Sequence, residues 1–175
     1  MRIAIIGYSG SGKSTLAAQL GQAYGVPVLH LDSVHWLPGW VERAREEEKA
    51  LVRAFLDRNE SWVIDGNYSA LYYEERLEKA DRIIFLNFNR FVCLHRAAKR
   101  ARQYRGRTRP DMGAGCPEKM DLEFAKWILY TGRTGRIRER YRKLRSVYPQ
   151  KFIEIRNQKA LSAFTARATE AKDCP

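Results

Sequence analysis

The chain has 175 residues, 45% of them hydrophobic and 30% charged, with a formal net charge of +12. This length fits one α/β domain with a sizeable core. No run approaches the roughly 18 consecutive apolar residues of a membrane span, which excludes a membrane-embedded protein and argues against a membrane partner. The charge is unevenly placed: residues 90–145 carry 17 Lys/Arg against 5 Asp/Glu, and the rest of the chain balances at 15 of each sign. A clustered basic segment implies an acidic partner, either a polyphosphate or a nucleic acid such as DNA, although a solvated helix face accounts for part of it.

Arg2-Ile3-Ala4-Ile5-Ile6 reads as a short buried strand, entered with no basic-then-apolar leader. Gly7-Tyr8-Ser9-Gly10-Ser11-Gly12-Lys13-Ser14 follows and matches G-x-x-x-x-G-K-[ST] without a mismatch. Thr15 and Leu16 continue into a helix, so the motif stands in the strand–loop–helix context it requires. Its glycines let Ser9, Gly10, Ser11 and Gly12 turn their N–H groups inward as an anion nest, and the helix opening near Lys13 adds its positive end. In this reading Lys13 reaches the β/γ-phosphates of ATP, Thr15 lies beside it, and Ser14 is a ligand of Mg²⁺.

The apolar run Val26–Leu31 ends at Asp32 and predicts a second strand, and residues 42–58 predict a helix with Leu51, Val52, Phe55 and Leu56 on one face. Trp62-Val63-Ile64 predicts a third strand ending at Asp65, residues 71–79 a brief helix, and Arg82–Leu86 a fourth strand. Asp32 and Asp65 are placed where one could assist Mg²⁺ while the other orients or deprotonates an acceptor hydroxyl; Asp65 is taken as the metal carboxylate. Strand-end aspartates also serve as caps and turn formers. Trp36 and Trp40 suit either an acceptor pocket or hinge packing, and His35 either a substrate contact or a structural role.

A helix over about 90–104 leads into a loop at 106–117 punctuated by glycines and prolines and flanked by arginine-rich helices. This is the composition of a closing lid. Arg107 and Arg109 are expected on the nucleotide, and Arg133 and Arg136 on the transferring phosphoryl group, because a guanidinium pairs bidentately with phosphate oxygens. The helical pattern from Leu122 is interrupted at Gly132 and Gly135. Lys151–Ile155 predicts a fifth strand, followed by Asn157 at the presumed rim, where an adenine edge could be read, and a helical tail from Leu161. Strands alternating with helices predict a parallel five-stranded sheet with helices on both faces, binding ligands at the strand carboxyl ends. Cys93, Cys116 and Cys174 are odd in number and far apart, which suits reduced thiols and a cytoplasmic protein; with His30, His35 and His95 they complete no metal set.

The phrases IAIIGYSGSGKSTLA, LHLDSVHWLPGW, WVIDGNY, ADRIIFLNFNR, RGRTRPDM and GCPEK resemble, over nearly the whole chain, the bacterial DNA topology modulation proteins (FlaR-like). That family is similar in turn to adenylate and shikimate kinases. The resemblance implies a nucleoside-monophosphate-kinase-like P-loop fold with an acceptor-binding segment at about 33–60 and a lid at about 104–118. It also implies an ATP-dependent phosphotransferase acting on a nucleotide or other small acceptor. The alternative is a nucleic-acid-binding ATPase that affects DNA topology. Adenylate kinases follow the third strand with Asp-Gly-Phe-Pro-Arg; here Asp65-Gly66 is followed by Asn67-Tyr68-Ser69, so the arginine that grips a monophosphate acceptor is replaced.

Overall fold

The computed structural model describes residues 1–170, so Cys174 lies outside the described residues. The first strand, β1 (Arg2–Gly7), is nearly all β-branched or small and is buried on both faces, with Ile3, Ala4, Ile5 and Ile6 at most 1% exposed. A strand of this kind can only be central. The chain continues through α1 (Lys13–Tyr24), β2 (Val28–His30), α2 (Leu31–His35), β3 (Trp36–Leu37), β4 (Val41–Glu42), α3 (Arg45–Arg58) and β5 (Trp62–Asp65). It then forms α4 (Tyr73–Lys79), β6 (Arg82–Leu86), α5 (Arg90–Gln103), α6 (Leu122–Leu129), α7 (Gly135–Val147), β7 (Phe152–Ile155) and α8 (Gln158–Glu170).

The five long strands pair in the order β2-β5-β1-β6-β7, all parallel, and helices cover the sheet. The fold class expected from the alternating pattern is the one observed. Strand β1 has β5 on one side and β6 on the other, so the connections leaving β1 and β5 diverge there and open a crevice at the strand carboxyl ends, the topological switch point of such sheets. No helix among the described residues is long and apolar enough to cross a membrane.

Three boundaries differ from expectation. The second strand is only Val28–His30, because the chain turns into α2 at Leu31, with the Ser33 hydroxyl donating to the His30 carbonyl at 2.7 Å. The helix expected from residue 42 begins at Arg45, because Trp36–Leu37 and Val41–Glu42 pair as a small antiparallel hairpin. Two-residue strands carry too little periodicity to read, and the hairpin is closed by Gly39 and a Trp40 with φ of 63°, a backbone region that bulky residues rarely enter. The tail helix begins at Gln158 rather than Leu161, because the Asn157 side chain caps it.

The interruption expected near Gly132 is present. α6 ends at Leu129, a short 3-10 turn covers Thr131–Arg133, and α7 starts at Gly135 behind the Thr134 cap. Between α5 and α6, residues 104–121 form an irregular segment closed by isolated bridges Arg105–Glu118 and Thr108–Pro117.

Candidate functional site

A cavity of about 1500 Å³ lies at the strand carboxyl ends, floored by Gly10, Gly12, Lys13, Ser14 and Thr15. The loop before α1 has the tight geometry that the motif predicts. Gly10 has φ of +76°, and a Cβ there would lie 2.4 Å from the Cys93 carbonyl oxygen, so only glycine lets the loop pass α5 this closely. Asn67, just past β5, grips the other end of the loop: its Oδ1 accepts from the Gly7 amide at 3.1 Å and its Nδ2 donates to the Gly7 carbonyl at 2.6 Å. Among the described residues the buried Ser11 hydroxyl has no hydrogen-bond partner. Its carbonyl accepts from Arg96 at 2.8 Å.

Lys13 donates to the Tyr8 carbonyl at 3.2 Å. Burial pushes its ammonium below the ordinary lysine value, and the nearby carboxylates Asp32 and Asp65 pull the other way. The Ser14 hydroxyl donates to Asp65 Oδ2 at 3.0 Å. The other oxygen of the buried Asp65 meets His30 Nδ1 at 2.5 Å. Burial disfavours a charged His30, but the hydrogen bond and charge of Asp65 outweigh it and hold the imidazole proton above its ordinary value. No group of three or more His, Cys, Asp or Glu side chains among the described residues could hold a metal by itself. Ser14 lines the cavity and Asp65, off the lining, is bonded behind it; a hydroxyl backed by a carboxylate is the sparse hard-oxygen donor set that suits Mg²⁺, with phosphate oxygens and water completing it.

Across the cavity, Asp32 accepts a hydrogen bond from the Tyr68 hydroxyl at 2.8 Å. Burial and the Asp32 charge push the Tyr68 phenol well above its ordinary value, so it stays a donor. His35 is bonded to the buried Glu48, with its other nitrogen 3.8 Å from Glu42. It also packs against Trp36 and Tyr68, with ring centroids 4.6 and 4.8 Å away. Trp36 and Trp40 meet edge to face at 5.5 Å on the same wall.

The arginines are placed differently from expectation. Arg107 is exposed and lies off the cavity lining, as does Arg136. Arg109 does face the cavity, but its guanidinium is held by Asp111 at 2.9 Å and by the buried Glu118 at 2.5 Å. Glu118 also takes Arg100 at 2.8 Å. The sequence displays the cations of this segment, but Glu118 reaches Arg109 only because the segment folds back on itself. Arg133 lies under the phosphate loop rather than in the cavity. Its guanidinium stacks 3.7 Å from the Tyr8 ring centroid and donates to Cys93 Sγ at 3.2 Å and the Ile128 carbonyl at 2.9 Å. Asn157 is also off the lining, because its Oδ1 accepts from the Ala160 amide and caps α8.

Among the cations that do line the cavity, three come from α5: Arg96, Lys99 and Arg100. Their spacing of three and four puts them on one helical face, a signal visible in the sequence but outweighed there by the denser arginines that follow this helix. Arg96 also lies over the Phe88 ring at 4.2 Å and donates to Gln158 at 2.6 Å. Trp127 of α6 closes the opposite side by donating to the Ser9 hydroxyl at 3.2 Å.

No protein-family model matches the chain, and no curated protein matches it by sequence. Among solved structures it is similar to a protein from Thermus thermophilus, at 17% identity and a TM-score of 0.57, covering 98% of this chain and 95% of that one. It is similar to the shikimate kinase of Acinetobacter baumannii in complex with shikimate, at 17% identity and 0.55, covering 97% and 91%. It is also similar to the shikimate kinase of Bacteroides thetaiotaomicron, at 19% identity and 0.50, covering 99% and 98%. The fold is therefore that of the shikimate-kinase type of P-loop α/β structure.

Proposed function

We propose that the chain is an ATP-dependent phosphotransferase that moves the γ-phosphoryl group of ATP to a hydroxyl of a nucleotide or other small acceptor. The observation that carries this reading is one cavity lined by Lys13, Ser14 and Asp32, with the buried Asp65 bonded to Ser14. Asp65 is bonded to Ser14 of the phosphate loop, and Asp32 stands across from it on the Tyr68 hydroxyl. Phosphoryl transfer is mostly a matter of in-line positioning and neutralised charge. Lys13 and the backbone amides of the loop at Gly10 and Gly12 would hold the β- and γ-phosphates, with Thr15 beside them and Arg96 and Lys99 toward the base. Ser14 and Asp65 would hold Mg²⁺, which supplies charge neutralisation at the phosphate oxygens. Asp32 would orient the acceptor hydroxyl and take its proton as the new P–O bond forms and the bond to ADP breaks.

The hairpin and α3 within 33–60 would form the acceptor side, and 104–118 a lid, all in one domain. The FlaR-like resemblance fits this arrangement, and reduced Cys93 and Cys116, both buried and free, fit a cytoplasmic setting. Shikimate, the ligand of one compared structure, makes small hydroxylated compounds the first acceptors to try. Labelled ATP incubated with nucleosides, monophosphates, polyols and shikimate tests the reading. Transfer of label to one class supports it, and label released only to water, or not at all, counts against it.

A second reading is favoured by the exposed face of α7, where Arg136, Arg138, Arg142, Lys143 and Arg145 face solvent. We propose DNA as its ligand. Retention on DNA that falls steeply between low and physiological salt supports it, since binding to phosphates releases counterions.

A further inference from the structure

Arg76 of α4 is fully buried, at 0% exposure, and no carboxylate lies within ion-pairing distance of it among the described residues. Burial lowers its value to about 10, so the guanidinium is still charged at neutral pH. Burying a cation with no carboxylate partner is costly, and a methionine of similar volume would avoid the cost. The partners it does have are two carbonyls and a ring. Nε donates to the Leu71 carbonyl at 2.7 Å, Nη2 donates to the Tyr68 carbonyl at 3.0 Å, and the guanidinium lies 5.6 Å from the Tyr73 ring centroid.

Both carbonyls belong to the irregular stretch between β5 and α4, whose residues Gly66 to Leu71 form a wall of the cavity. The stretch is weakly held by its own backbone: the Leu71 amide reaches the Tyr68 carbonyl only at 3.4 Å. A planar fork donating in two directions is suited to pinning two carbonyls at once, which a lysine ammonium on one flexible stem is not. The side chain of the pinned residue then reaches Asp32, with Tyr68 Oη donating to Oδ1 at 2.8 Å.

We propose that Arg76 is a positioning residue for the acceptor half of the site: by holding the Tyr68 and Leu71 carbonyls it fixes the Tyr68 hydroxyl against Asp32 and so aims the Asp32 carboxylate into the cavity. The role of Asp32 rests on the phosphotransferase reading; the Arg76–Tyr68–Asp32 linkage does not. A shift of about 1 Å in a positioned group can cost on the order of 100-fold in rate, so a brace of this kind has kinetic weight.

The test labels position 68 with 3-fluorotyrosine and reads its ¹⁹F resonance in the full chain. Asp32→Ala supplies the position of the resonance when the carboxylate is lost. Arg76→Met is expected to move the resonance toward that position, and to lower kcat for Mg·ATP turnover by about 10- to 100-fold with KM for ATP unchanged. Combining Arg76→Met with Tyr68→Phe is expected to cost no more than either alone, because both break one linkage. Should Arg76→Met not fold, Arg76→Lys takes its place and is expected to move the resonance part of the way. A resonance unmoved in the folded Arg76 variant, or one that ignores Asp32→Ala in the first place, overturns the proposal. Additive kinetic losses overturn it as well. If the wild-type protein turns over no ATP, the phosphotransferase reading falls while the fluorine measurement still decides the linkage.

Discussion

The Gly39 amide donates to the Gly115 carbonyl at 2.8 Å, joining the β3–β4 hairpin to the segment between α5 and α6. The contact does not stand alone. Trp40 Nε1 donates to the Pro117 carbonyl at 3.1 Å, Cys116 Sγ donates to the Leu37 carbonyl at 3.1 Å, and Lys119 stands 5.7 Å from the Trp40 ring centroid. The β3–β4 hairpin and the segment between α5 and α6 are therefore zipped together in this structure.

Gly115 has φ of +77°, and a Cβ there would lie 2.7 Å from Pro38 Cβ. Gly115→Ala is expected to cost about 1–2 kcal/mol from the left-handed backbone alone, or roughly 2–8 °C in Tm. It should also part the hairpin from the segment between α5 and α6. Hydrogen exchange checks this: the Gly39 amide loses protection in the variant, while amides of β1 keep theirs.

Lys13→Ala removes the loop cation whose ammonium is already held below its ordinary value by burial. We expect turnover to fall by about 100-fold or more, the scale for losing one preorganised charge-stabilising group. The fold should survive, because among the described residues the side chain's hydrogen bond is to Tyr8 of its own loop. Circular dichroism and an ATP-induced thermal shift separate the two effects.

Asp65→Asn keeps the shape of a side chain that receives Ser14 and His30 but removes its charge. Nucleotide binding in the absence of metal is expected to stay near wild type, while the Mg²⁺ concentration needed for half-maximal nucleotide stabilisation rises about tenfold or more. An equal loss of both would point to a structural role for Asp65.

Arg53 of α3 holds both oxygens of Glu75 of α4, at 2.9 and 2.5 Å. The bonds from Arg53, then Lys79, depress the Glu75 carboxyl to about 2. A carboxyl depressed in the folded state adds stability that is present above its unfolded value and lost as pH falls through the folded one. Glu75→Gln is therefore expected to be less stable than wild type at pH 7, by about 1 kcal/mol or less because the pair is partly solvent-screened. The gap should narrow between about pH 4.5 and 2 and vanish below. Urea unfolding of both proteins across that range measures it.

Much of the donor side could be read directly because its signals are local. Gly7 to Ser14 is contiguous, and the strand before it and the helix after it are set by residues within a few positions. The alternation of short apolar runs with helical ones similarly implied the parallel sheet. The arginines show where local reading stops. Arg109 looks free in the sequence but is bound to Glu118, nine positions on, and Arg133 looks catalytic but is stacked on Tyr8. Asn157 looks like a base reader but caps α8.

Sequence alone determined where the glycine-rich loop lies and what kind of sheet carries it, because a turn, a helix start and a strand are each encoded within a few residues. Tertiary structure decided which charges remain available and which groups face one another. It brought Tyr68 to Asp32, 36 positions apart, tied Gly39 to Gly115, and placed Arg96 rather than Arg107 on the cavity lining. Those pairings depend on how distant elements pack, and charge partnership is a property of space rather than of order along the chain.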